Sequence, residues 1–287
     1  MVRKHTLYQL ATVVWFVAAA GSLVLVISGQ AEPYVTPERI PGGPMGGFGI
    51  MAGVIIAGVV VIGRLETRAW KKMGRKAGLE PERGLNLLGR PAMTGTVRGR
   101  PVRVDSYKVS SGGSGESGGS STTYTLVEAE LAEPVERGFF FGKHGGESSH
   151  VLDDLPNELR EKRVGDEFYA VGDIPAETAA QLHTPRVSDT FRDPNGAGTV
   201  VVGDPTDVIM SAVPDSGGGL MGSFTGIVES KLRDKAEFDA SMASHGRKGL
   251  ILSAEKLDKQ LAAVVAVADA YERAEAGTRR GTAAEHL

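Results

Sequence analysis

Two long apolar runs dominate the first quarter of the chain. From Leu7 to Ile27 only Tyr8, Gln9, Thr12 and Ser22 interrupt apolar and small residues, and from Pro44 to Gly63 there is no charge at all. Twenty helical residues rise about 30 Å, the depth of a bilayer's hydrocarbon core, and a helix satisfies its own backbone hydrogen bonds there. The pattern therefore predicts two transmembrane helices, about 7–27 and 44–63, forming a hairpin over residues 1–63. The first run also fits a signal peptide, with Arg3 and Lys4 ahead of it and Ser28, Gly29, Gln30 and Ala31 behind. Its length favours a retained anchor. In the second run Gly49, Gly53 and Ala57 recur every four residues, a helix-packing face open to the other span, a second copy or another membrane protein. Such glycines are also ordinary in membrane helices.

Beyond residue 76 the period changes to two. Val102 and Val104 alternate with Arg103 and Asp105, and Thr125, Val127, Ala129 and Leu131 alternate with Leu126, Glu128 and Glu130. Strands are predicted at Thr94–Val97, Pro101–Val109 and Thr123–Leu131. Arg98-Gly99-Arg100 reads as a turn, and the Ser/Gly tract 110–122 as a flexible loop across which the last two strands pair. Further strands are expected at Phe139–Phe141, Glu167–Val171 and Thr199–Val202. Helices follow at Pro175–Leu182, Phe224–Phe238 and Ser253–Ala276. In the last of these Leu257, Leu261, Val264, Val265, Ala268 and Tyr271 form an amphipathic stripe and Gly277 suits a helix stop. Residues 278–287 read as a disordered tail. The whole predicts an α+β domain over 77–277, an antiparallel sheet with a C-terminal amphipathic helix, preceded by the transmembrane hairpin.

Charge adds an orientation. Arg64, Arg68, Lys71, Lys72, Arg75 and Lys76 stand against one acid, Glu66, directly after the second run. With +2 ahead of the first run, −1 between the runs and +5 after the second, residues 77–287 hold −9 of the net −3. The basic collar at 64–76 predicts a two-span protein of the cell membrane with both termini cytoplasmic. The collar also meets anionic headgroups favourably, so the lipid bilayer is an expected partner. The acidic domain excludes a dedicated nucleic-acid binder. The mean hydropathy of −0.09 averages these unlike parts.

Little chemistry is visible. With no cysteine, disulfides, iron–sulfur clusters and thiolate zinc modules, RING ligases included, are ruled out. The glycine tracts 112–119 and 217–222 lack the features of a phosphate loop. His144 and His150, with Glu147, Asp153 and Asp154, share one stretch, but their spacing matches no standard ligand pattern, and no metal or cofactor is expected. Asp153, Asp154, Glu158 and Glu161 interleave with Arg160 and Lys162, as on a solvated helix face.

Leu88-Gly89-Arg90, Gly95–Val102, Thr123–Leu131, Val164–Phe168 and Gly249–Tyr271 together resemble a family of membrane-anchored haloarchaeal proteins with two N-terminal spans and a cytoplasmic α+β domain. The resemblance covers most of 65–275 and is structural, so it carries over no site residues. The expected role is a non-enzymatic, membrane-anchored interaction, scaffold or sensing module. The alternatives are a membrane-tethered hydrolase using the acids and histidines of 144–154, or an accessory subunit of a transport or secretion complex docking through the glycine face.

Overall fold

The computed structural model describes residues 14–15, 43–82, 90–110, 121–145, 166–172, 174–205 and 239–285. The chain divides into two compact units, Met1–Met73 and Gly74–Leu287.

The first unit contains most of helix α1, Gly43–Lys76. The predicted second span falls inside it. The predicted first span lies outside the described residues except for Val14 and Trp15, which are helical. The Trp15 indole lies on Gly58, where a Cβ would collide with the ring. Among the described residues no helix is long and apolar enough to cross a membrane.

The second unit is built on an eight-stranded sheet in which every paired neighbour is antiparallel. Its strands are β1 (Glu80–Pro81), β2 (Met93–Val97), β3 (Arg100–Ser110), β4 (Ser121–Glu130), β5 (Phe139–Lys143), β6 (Phe168–Val171), β7 (Thr199–Val202) and β8 (Met242–Lys248), in the spatial order β1-β2-β3-β4-β8-β7-β5-β6. The turn at Arg98 and Gly99 puts both residues at positive φ, 53° and 83°, which matches the right-handed twist of a two-residue hairpin. β3 and β4 pair from Val102↔Ala129 to Ser110↔Ser121, so the strands reach into both ends of the predicted loop.

Two strands went unpredicted. β1 is only two residues long. β8, Met242–Lys248, carries Ser, His, Gly, Arg and Lys and reads as a loop, yet it joins the two halves of the sheet by pairing with β4 and β7.

Among the described residues three helices complete the unit: α2 (Ala176–Leu182), α3 (Pro185–Arg192) and α4 (Ala254–Glu285). α4 lies against β2, β4, β7 and β8 and is covered by α2 and α3. Residues 263–268 are all buried, so the predicted stripe widens here to the full circumference. The physical reason is that α2 and α3, the second of which the sequence pattern did not show, both pack on the side away from the sheet. The expected stop at Gly277 is a correction. α4 passes through it to Glu285, because a glycine weakens a helix without breaking it when good helix formers flank it. Residues 278–285, expected in a disordered tail, are helical. The predicted helix at Phe224–Phe238 lies outside the described residues.

Candidate functional site

The residues singled out from sequence fall in three places. Of the glycine face, Gly53 and Ala57 are exposed, and a Cβ at Gly53 would meet nothing within 4 Å; the side-chain surroundings of position 49 lie outside the described residues. Trp15 uses the neighbouring Gly58 instead. Of the collar, Arg64, Arg68, Lys72, Arg75 and Lys76 are exposed and Lys71 is half-buried. Trp70, beside the collar's lysines in sequence, is fully buried. Of the hydrolase set, His144 is exposed after β5 with its ring 5.3 Å from that of Tyr169. His150, Glu147, Asp153 and Asp154 lie outside the described residues. Among the described residues no group of three His, Cys, Asp or Glu could hold a metal ion.

The geometry builds a different site, a groove of about 850 Å³ in the second unit. Its walls are the connection 132–137, Pro175 ahead of α2, and the turn of α4 carrying Tyr271, Glu272, Glu275 and Ala276. The floor is apolar. Val135 and Phe139 are buried, and the Phe139 and Tyr271 rings sit 6.0 Å apart. The rim is acidic, with Glu133, Glu136, Glu272 and Glu275 against Arg137.

Backbone bonds hold the groove's loop in place. Leu131 N–H donates to Ser241 O at 2.7 Å, Val135 N–H to Ala240 O at 2.8 Å and Gly138 N–H to Asp204 O at 3.1 Å. Ala132 N–H donates to Glu272 Oε1 at 2.8 Å. Gly203, at φ 68°, allows the close approach of Val135, whose Cβ would lie 2.8 Å from an added Cβ. The groove is therefore preformed.

Beside it lies the strongest ion cluster among the described residues. Arg100 reaches Glu272 at 2.6 and 2.7 Å, Asp269 at 3.0 Å and the Glu130 carbonyl at 2.5 Å. Arg186 adds a bond to Asp269 at 2.8 Å. The hydrogen bond from Arg100 holds the Glu272 carboxyl below its ordinary range, with the Ala132 N–H helping, and Glu272 raises the Arg100 guanidinium in turn. This fork ties the β2–β3 turn to α4 and fixes one groove carboxylate. The sequence pattern placed Arg100 in a turn and gave no sign of its partners 169 and 172 positions away on α4.

No family model matches the chain, and no curated protein matches it. Among solved structures the chain is similar to the crystal structure of the mycobacterial trehalose monomycolate transport factor A, TtfA. The likeness has a TM-score of 0.36 and 10% identity, over 71% of this chain and 93% of that one. At that score it carries no argument, and the groove is read from its own residues.

Chemically the groove offers carboxylates around an apolar floor. Among the described residues its lining holds no serine, threonine, histidine or lysine, and Tyr271 supplies the single hydroxyl. Such a lining suits recognition of positive charge flanked by apolar groups.

Proposed function

We propose that the chain is a non-enzymatic interaction module held at the inner face of a cell membrane, and that its groove docks a partner segment carrying Lys or Arg beside apolar side chains. The groove carries this reading: a preformed concave surface, acidic at the rim and aromatic at the floor. The anchor is supported by the uncharged run Pro44–Gly63, which continues in one helix into the basic residues that set topology. The contact of Trp15 with Gly58 supports a helical hairpin. The exposed Gly53 and Ala57 then remain available to a second copy or another membrane protein.

The full chain in neutral nanodiscs, titrated with a fluorescent peptide of alternating Lys and Leu, tests the groove. Binding should weaken with salt and be lost in the double variant Glu136→Lys, Glu275→Lys, while an acidic peptide of the same length stays unbound. Equal binding by the double variant sinks the docking reading. Topology is checked separately: protease added to intact cells should leave residues 77–287 uncut.

A further inference from the structure

The collar is one-sided. Residues on a helix advance 100° each, so Arg64, Arg68, Lys71, Lys72, Arg75 and Lys76 fall within an arc of about 140°. The buried Trp70 and Met73 lie on roughly the opposite side of the same helix. Five of the six basic residues are exposed. Arg75 approaches Glu80 only to 3.9 Å, with both side chains mostly in solvent, a geometry worth little. The stripe is therefore an open cationic surface about 18 Å long.

A topogenic collar needs only charge near the span's end, on any side. An upright axis would lift Arg75 and Lys76 about 18 Å above Gly63, past a headgroup layer of roughly 5–7 Å and a Debye length of about 8 Å. Side chains on the underside of a tilted helix behave differently. Each Cα–Cβ bond leans toward the helix N-terminus, which here is the apolar side, and long basic side chains reach further. Membrane helices tilt by up to about 40°, enough for a one-sided stripe to come down to the headgroups along its length. A ring of charge would gain nothing from the same tilt.

We infer that α1 lays its Arg64–Lys76 face onto an anionic phospholipid leaflet, which acts as the ligand of that face and sets the tilt of the helix. This inference rests on the membrane-anchored reading, and one experiment separates the two. The full chain is reconstituted in nanodiscs of phosphatidylcholine alone or mixed with phosphatidylglycerol, and lysines are labelled with a water-soluble amine reagent read by mass spectrometry. Co-elution with both discs supports the anchor; failure to enter either disc overturns the anchor and the inference with it. In disc-bound protein, Lys72 and Lys76 should label at least about fivefold more slowly in the anionic disc, the factor that ~1 kcal/mol per basic residue implies. The exposed Lys248 of β8 should label equally in both.

The variant Arg68→Gln, Arg75→Gln should enter discs normally and lose most of the protection. Equal labelling of Lys72 and Lys76 in the two discs, protection shared by Lys248, or equal protection from soluble glycerophosphate in the neutral disc would each overturn the leaflet as ligand.

Discussion

Among the described residues two long helices have nearly equal length, 34 residues in α1 and 32 in α4, and they treat apolar surface in opposite ways. In α4, Leu257, Leu261 and every residue from Ala263 to Val267 are at most 1% exposed. In α1, Val54, Ile56, Val59, Val60, Val61 and Leu65 are 43–62% exposed. One helix has its partners within the second unit, in the sheet and two short helices. The other presents its described apolar side chains outward, the kind of surface that the proposed membrane anchor would need. The uncharged run of α1 already differs from the charged and apolar mixture of α4 in sequence, and the strands and helices around α4 show where its apolar side chains go.

The contrast is sharpest under truncation. Leu261→Ala removes buried methyl groups from a close-packed core and should lower unfolding stability by about 2–5 kcal/mol in a denaturant melt. Ile56→Ala removes a similar volume at a site 62% exposed and should leave the melt unchanged while weakening retention in membranes. Equal destabilisation by both would erase the distinction between the helices.

The Arg100 fork anchors α4 to the sheet by charge rather than by apolar contact. The side chains of Arg100, Asp269 and Glu272 are 11%, 21% and 29% exposed. Arg100→Met keeps the aliphatic stem but strands two carboxylates, with an expected loss of about 2–3 kcal/mol in the same melt. Adding Asp269→Asn and Glu272→Gln should recover part of it. A single variant as stable as the parent would show that the fork contributes nothing.

Below α4, acid should find a weak point at His245. This side chain of β8 is 1% exposed, and its Nδ1 is 2.5 Å from Thr199 O. Burial pushes its pKa down to about 4, with Arg247 adding to the effect against the Thr199 hydrogen bond. Unfolded, the imidazole titrates near its ordinary value, so the unfolded chain takes up the proton first. The contribution is complete above about pH 6.5 and is lost as pH falls toward 4, by up to about 3 kcal/mol. Buried Glu128 works in the opposite sense, since desolvation raises its pKa. His245→Gln isolates the histidine: stability measured from pH 7 to 4 should fall less steeply than in the parent, and identical slopes would remove His245 as the cause.

How much of this was legible in the sequence depended on how local each cause is. Thr199–Val202 was predicted to the residue, and the β2–β3 and β3–β4 hairpins nearly so, because period-two alternation in the strands and the Arg98-Gly99 turn between β2 and β3 act over a few positions. β8 was not legible. Its burial comes from lying between β4 and β7, and its own residues carry no strand pattern. α3 was missed for a related reason: Pro185–Arg192 buries only Val187, Ser188 and Phe191, too few for a periodic signal. The groove was hidden more deeply, since its lining joins residues 132–139, 175 and 271–276, and neither acid nor aromatic spacing marks any of these segments. The collar residues were plain, but their one-sidedness shows only when the helix is wound, with Trp70 and Met73 buried behind them.

The smallest expected effect probes the C-terminal part of α4, beyond its buried stretch. Gly277 is exposed, and an added Cβ would meet nothing within 4 Å. It sits inside the helix rather than at its stop, so its backbone freedom brings no benefit there. Gly277→Ala should stabilise the helix by about 0.5–1 kcal/mol, seen as a small rise in the melt and in helical circular dichroism. If Gly277 instead terminates the helix in the left-handed region, the same substitution destabilises, because alanine is strained at positive φ. The sign of one small shift thus decides between a helix that runs to Glu285 and one that ends at Ala276.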